Sequence, residues 1–327
     1  MFVYLLISLV ILILFSKLSY KFNLVDIPNR RKKHSKPTAY TGGIALSFIY
    51  LISLFLFQID AKELNLILSL AFLISVVGFL DDKHHLNVGS KLSLQILPIF
   101  FLIFLENLSL NQIGNYDYFK LELNSFSIPF TLISVLLLIN SYNYFDGLDG
   151  ILSFSTISVL AILYFLTNDE NNKLFLIIIC APLFLFLFFN FSLFKLPKLF
   201  LGDSGSLLLG FITAFTLIYY ANEKLVHPIL LAWSVSIFIY EFLSINIIRI
   251  YNNKNPFLAG RDHLHHILFK RTKSIIQTNF FIFLINIILF TIGYISFVFV
   301  GPLISLILFI SFFLFFFIIR KNLKKNN

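Results

Sequence analysis

Apolar runs of about 17 to 25 residues, the length that crosses a bilayer as helix, recur from one end of the chain to the other, with polar residues collected in the gaps. Eleven runs are read, centred near Ile11, Tyr50, Phe72, Phe100, Leu136, Val159, Phe184, Phe211, Ile239, Ile287 and Phe309. The first is apolar from its second residue and has neither a basic leader nor a small-residue cleavage site before Lys17, so a retained span is expected rather than a signal peptide. The gap from Ser109 to Ser127 alternates around Tyr116 to Leu123, which predicts a small hairpin. The expected fold is an all-α polytopic membrane protein of about eleven transmembrane helices, with residues 1–327 forming one integral domain.

Composition agrees. At 58% hydrophobic, with 43 Phe in 327 residues, the chain exceeds what a soluble core would bury. The lone Cys180 lies in an apolar run, which excludes an intramolecular disulfide framework. Of the 25 Lys and Arg, only Lys62, Lys120, Lys173 and Lys224 fall outside if the loop after the first run is cytoplasmic. That bias predicts an amino terminus outside and a basic tail, Arg320 to Lys325, inside. The net charge of +9 then follows from topology and from anionic membrane lipid, and no nucleic-acid partner is expected.

The same topology gathers the polar chemistry on the cytoplasmic face. Asn140, Asn143, Asp146 and Asp149 recur every third residue at the end of the fifth run, a spacing that lines one helical strip, with Gly147 and Gly150 free to open the backbone. Capping of the next helix is the plainer use of the same residues. Asp81 and Asp82 are adjacent carboxylates that require a cation or basic partner nearby, unless they simply end a solvated helix. Gly42 and Gly43 open the second run and allow close backbone approach to a phosphate, though without P-loop spacing. Gly202-Asp203-Ser204-Gly205-Ser206 opens the eighth run, where a helix N-terminus offers free N–H groups to an anion. The longest inner loop carries Arg261, Asp262, His263, His265 and His266; lacking Cys and zinc-type spacing, it reads as a cationic cluster of Arg261, His263 and His265 or His266 for phosphate and hydroxyl groups. Glu241 is an intramembrane charge, with Arg249 two turns on as its expected partner.

Taken together, Leu80-Asp81-Asp82, the stretch Asn140 to Gly150, Gly202 to Ser206 and His263-Leu-His-His266 resemble the polyprenyl-phosphate N-acetylhexosamine-1-phosphate transferases, the MraY and WecA family. The resemblance runs from about residue 26 to 267, in the family's order, and the last two spans and basic tail, 268–327, carry no motif. An eleven-span layout looks like the WecA branch.

The resemblance implies transfer of an amino-sugar 1-phosphate from a UDP-N-acetylhexosamine to undecaprenyl phosphate with release of UMP, in the inner membrane of a bacterium. It implies a magnesium cofactor, with manganese as substitute, held by Asp203 and Asn143. Lys91 matches the lysine that meets the diphosphate, Phe200 the aromatic that stacks on uracil, and Asp149 the position of uracil recognition, while Asp146 orients Lys91 or the metal's water shell. Asp81 and Asp82 are expected to organise Lys91 and the metal, with a general base as the competing role. Asn140, Arg261, His265 and His266 are counted with the substrate groups and His263 with the catalytic ones. The interrupted run His263-Leu-His-His266 looks like the N-acetylglucosamine form and not the muramyl-pentapeptide form, which carries three consecutive histidines. A homodimer is left open. A secondary transporter is the rival class, expected to place its polar groups near the midplane and to show repeats.

Overall fold

A computed structural model describes residues 1–28, 36–256, 260 and 262–325. In chain order the elements are α1 (Phe2–Lys21), β1 (Val25–Asp26), β2 (Thr38–Ala39), α2 (Gly42–Leu56), α3 (Lys62–His84), α4 (Val88–Phe100), β3 (Gln112–Asn115), β4 (Lys120–Glu122), α5 (Ser127–Phe145), α6 (Ile151–Leu166) and α7 (Glu170–Asn190). The series continues with α8 (Gly202–Asn222), α9 (Pro228–Ser234), α10 (Ser236–Tyr251), α11 (Leu264–Thr272), α12 (Ile275–Phe299) and α13 (Pro302–Lys325). Every expected apolar centre lies in a helix, and the predicted hairpin is β3 paired antiparallel with β4.

The protein is an integral membrane protein, and eight of its described helices are long and apolar enough to cross a bilayer, or nine if α9 and α10, bent by 72°, are one span. The two remaining expected spans, α2 and α6, have 15 and 16 residues. At 1.5 Å per residue these reach only about 22 and 24 Å, short of a hydrocarbon core of roughly 30 Å. The full count of eleven is therefore not established.

Local chemistry sets the boundaries. Asn87, Asp169 and Ser274 cap α4, α7 and α12 by accepting from the N–H three residues on. His227 caps α9 by accepting at Nδ1 from Ile229 N, two residues on, with Pro228 at the first position, where a missing N–H does no harm. After α1, Val25–Asp26 and Thr38–Ala39 pair as the short antiparallel ladder β1–β2, in a stretch expected to be loop.

The chain divides into two compact units, Met1–Leu108 with Asn168–Thr216, and Ser109–Thr167 with Leu217–Asn327. In the first, α1, α2 and α7 pack on one another and α3 packs on α2 and α4. Pro182 interrupts α7 and cannot donate to the carbonyl of Ile178, four residues back. Tyr4 Oη donates to that carbonyl at 3.1 Å, and Tyr50 Oη donates to Ile179 O at 3.0 Å. In an apolar medium such repairs are obligatory.

The second unit is built round α12, which packs on α6, α9, α10, α11 and α13. Trp233 of α9 lies flat on Gly293 of α12, where a Cβ would overlap the indole, and its Nε1 donates to Ser305 of α13 at 3.0 Å. Asn286 Nδ2, fully buried, donates to Ser158 Oγ at 2.8 Å and to the Ser234 carbonyl at 3.0 Å, satisfying backbone opened by the bend between α9 and α10. The final two helices are thus packed into the unit by specific polar anchors.

Candidate functional site

Polar chemistry in the first unit centres on the end of α3 and the start of α8. The last turn of α3 carries Asp81 and Asp82, and the chain reverses through His85 in the left-handed region, φ 52°. Asp81 Oδ1 accepts from Leu86 N at 2.9 Å and so fixes that reversal, which swings Lys91 of α4 back toward α3. Lys91 Nζ then sits 2.7 Å from Asp81 Oδ2 and 2.5 Å from Asp203 Oδ2. The Lys91 and Asp81 side chains are mostly buried, at 14% and 11% exposure, while Asp203 keeps 32%.

Asp82 faces α8 instead. Its carboxylate accepts from Asp203 N at 2.9 Å and Ser204 N at 3.2 Å, next to Gly202, whose φ of +73° favours glycine. The expectation that this helix N-terminus offers free N–H groups to an anion is therefore corrected, because these two are taken by Asp82. A favourable helix dipole adds to the cap.

Glycines bring the backbones this close. A Cβ on Gly78, one turn before Asp82, would collide with the Asp203 carbonyl and Ser204 Cα, and one on Gly43 would collide with Gly205. Gly42 N and Gly43 N donate to Phe200 O at 3.0 Å and Leu201 O at 2.8 Å. The paired glycines thus serve helix contact and hold the turn before Asp203, correcting the phosphate-approach reading. Phe200 is tied by its own N–H to Ala39 O at 2.8 Å, and Lys198 Nζ lies 5.2 Å from its ring centre.

Tyr40 was not singled out from sequence. Burial raises its phenol pKa, and the negative Asp82 and Asp26 raise it further, so the hydroxyl stays a donor beside this acidic group. The cluster holds three carboxylates against one ammonium, an all-oxygen donor set that fits a hard divalent cation. No group of three or more His, Cys, Asp or Glu able to hold a metal converges among the described residues. The protein offers carboxylates and not a closed cage, which is how magnesium is commonly held, through one or two carboxylates plus phosphate and water.

The second unit carries the other predicted residues. Asn140 and Asn143 lie in the last turns of α5, but Asp146 is its C-cap, at φ −78° and ψ 61°, and the helical strip ends there. Asp149 is beyond the helix; the expected four-residue strip is therefore only Asn140 and Asn143. Asn140 Nδ2 donates to Leu136 O at 2.8 Å, and the Asp149 carbonyl accepts from Asn279 Nδ2 at 2.8 Å. Gly147 is backed by His265, whose Nε2 a Cβ would strike. The Asp146–Asp149 turn and the histidine segment are thus in contact.

His263 stands at the N-cap position of α11 without a side-chain capping bond, and His265 and His266 lie in the first turn, with rings 4.2 Å apart between the latter two. Burial lowers the His263 pKa to about 3 against the opposing charge of Asp262, and burial drives His265 well below the usual histidine value. Both imidazoles are neutral at neutral pH, which corrects the expected cationic cluster at these two positions. Arg261 lies outside the described residues.

The expected pairing of Glu241 with Arg249 is also corrected. Glu241 pairs with Arg320, 2.8 Å from Oε2, while Arg249 pairs with Asp262 at 2.7 Å. Burial alone would raise the Asp262 carboxyl, but hydrogen bonding and charge from Arg249 outweigh it and hold the pKa at about 2. Glu241 and Arg320 stand 79 positions apart, so no local spacing signals the pair.

Residues 64–221 match the profile of glycosyl transferase family 4. The chain is 26% identical over 318 residues to the undecaprenyl-phosphate alpha-N-acetylglucosaminyl 1-phosphate transferase of Escherichia coli K12, covering 94% of this chain and 87% of that one. The proteins of the same name from Yersinia pestis and Haemophilus influenzae are 27% and 28% identical, over 80% and 86% of this chain and 74% and 82% of theirs. The matched segment contains Asp81, Asp82, Lys91, Asn143, Asp149 and Asp203, so the chain is similar to glycosyl transferase family 4 over the part that carries these residues.

Proposed function

We propose that the protein transfers N-acetylglucosamine 1-phosphate from UDP-N-acetylglucosamine to undecaprenyl phosphate at the cytoplasmic face of a bacterial inner membrane. The names of its relatives support the acceptor and the sugar. A phosphate oxygen of the lipid forms a bond to the β-phosphorus, the bond from that phosphorus to the α-phosphate oxygen breaks, and UMP leaves with the electron pair. The products are undecaprenyl-diphospho-N-acetylglucosamine and UMP.

The observation that carries this reading is Lys91 held between Asp81 and Asp203. Phosphoryl transfer depends chiefly on positioning and charge neutralisation, and a buried ammonium fixed by two carboxylates is a rigid donor for a diphosphate. Asp81 spends its two oxygens on Leu86 N and Lys91, which supports an organising role. A lipid phosphate with a second pKa of about 6 is mostly dianionic at neutral pH and needs no dedicated base. The sequence resemblance assigns magnesium, or manganese in its place, to Asp203 and Asn143, and the ion would supply further neutralisation of the diphosphate. The same resemblance gives Phe200 the stacking on uracil, Asp149 the reading of its edge, and His263, His265, His266 and Arg261 the binding of phosphate and sugar hydroxyls. Neutral imidazoles suit this task because they both donate and accept.

Glu241, the intramembrane charge that a transporter would also have, is engaged here by Arg320 and by Leu264 N at 2.7 Å. The deciding experiment is purified protein in lipid nanodiscs with undecaprenyl phosphate, magnesium and competing UDP-sugars, scored for UMP release. Release with UDP-N-acetylglucosamine that stops on chelation and returns with magnesium is expected. Preference for UDP-muramyl-pentapeptide would move the chain to that branch, and silence with every UDP-amino sugar would remove the reading.

A further inference from the structure

Arg320 lies in the last helix, outside the segment matched by the family profile, and by sequence belongs to a basic tail. In the structure its side chain is 3% exposed and that of Glu241 is 1% exposed. The guanidinium forks onto the carboxylate, Nε to Oε2 at 2.8 Å and Nη2 to Oε1 at 2.9 Å. Nη2 also donates to the Asp262 carbonyl at 2.6 Å, and Glu241 Oε1 accepts the N–H of Leu264 at 2.7 Å. The pair therefore grips the backbone on either side of His263. A second tether holds the approach to this point: Arg249 Nη1 and Tyr144 Oη both donate to Pro256 O, at 2.7 and 2.8 Å, and Arg249 binds the Asp262 carboxylate.

Stability alone is a weak reason for such a pair, because well-packed apolar residues of similar volume often do as well. What the ion pair adds is direction: a donor and an acceptor fixed at set points on the chain, in the planar geometry only arginine supplies. The segment it fixes carries His263 and His265, both buried, the latter against the Asp146–Asp149 turn.

We infer that Glu241 and Arg320 are positioning residues that seat the histidine segment for the transfer reaction, which makes α13 a working part of the site and not only a membrane anchor. This rests on the transferase reading above. The test uses full-length Arg320→Met and Arg320→Lys in nanodiscs, with kcat per folded molecule, thermal midpoint and amide exchange over residues 262–269. Displacing a catalytic segment by about 1 Å costs on the order of 100-fold in rate, so Arg320→Met is expected to lose roughly that much kcat. Exchange over 262–269 should rise while exchange in α3 stays as in the wild type. Arg320→Lys keeps the charge without the fork and should fall between, and it decides the matter if the Met variant does not fold. A lowered thermal midpoint with kcat per folded molecule unchanged, or unchanged exchange over 262–269, overturns the inference. Wild-type protein that releases no UMP sinks the transferase reading instead, and the exchange data then decide alone whether the pair seats the segment.

Discussion

Asp82 caps the helix that carries Asp203, its carboxylate accepting from Asp203 N at 2.9 Å and Ser204 N at 3.2 Å across 121 and 122 positions of sequence. A cap removed from a helix costs about 0.5–2 kcal/mol, and buried N–H groups left without a partner add to that. Asp82→Ala is therefore expected to lower the thermal midpoint and the rate of UMP release together. Asp82→Asn keeps one acceptor oxygen and should retain more of both. An Asn variant as stable as wild type but wholly inactive would point to proton transfer by Asp82 instead of capping.

Lys91 neutralises Asp81 and Asp203 at the same time, so its removal leaves two carboxylates facing each other. Like charges at short range favour any cation that can replace the ammonium. Lys91→Met should bind manganese more tightly than wild type in the absence of donor, measured by loss of the free-ion paramagnetic resonance signal, yet turn over far more slowly. Weaker manganese binding in the variant would mean that the two carboxylates do not share a cation.

Gly43 and Gly78 make backbone contact with the Gly202–Ser206 turn, and a methyl group at either has no room. Overpacking of this kind typically costs about 1–3 kcal/mol. Gly78→Ala and Gly43→Ala should each lower the thermal midpoint and reduce turnover, whereas Gly89→Ala, whose Cβ would meet only Asn87 Oδ1 at 3.4 Å, should be close to wild type. Equal midpoints across the three variants would contradict the close approach.

The neutral imidazoles predict an acid limit on stability. His263, with a pKa near 3 through burial, and His265, driven well below the usual histidine value by burial, refuse a proton that the unfolded chain accepts near pH 6.5. In that window the unfolded state binds more protons, so stability falls as pH drops below about 6.5, by about 1.4 kcal/mol per unit for each fully shifted group. Asp262 acts in the same direction but at lower pH: its lowered pKa gives stability that is lost only between about 3.8 and 2, below this range. Around His263 the charged neighbours are Asp262, Arg249, Arg320 and Glu241. Thermal midpoints at pH 7.5 and 5.5 should differ in wild type and differ less in His265→Gln; an equal difference would show that His265 is not the neutral group.

Lys91 is legible only through the family resemblance, whereas the candidate carboxylates are legible because each sits in a short polar interruption of an apolar run, where local composition is the signal. The hairpin β3–β4 was legible from alternation for the same reason. What failed was long-range or negative information. Nothing near Glu241 distinguishes Arg249, eight positions on, from Arg320, and helical spacing favours the nearer residue until the loop carboxylate Asp262 claims it. The glycines of α2 and α3 read as backbone freedom, while their use is the absence of a Cβ against a helix met only in three dimensions. The histidines read as cations because sequence carries no measure of burial.

The position of Arg320 in the chain fixes an order of events during synthesis. Chains are made and fold from the amino end, so the donors Tyr4 and Tyr50 already exist when α7 emerges with its open carbonyls. Glu241 has no such predecessor. Its carboxylate is made before its guanidinium, and the seat for His263 stays incomplete until α13 leaves the ribosome. A chain ended after α12 would contain every recognisable motif and still lack the group that closes the second unit around that carboxylate.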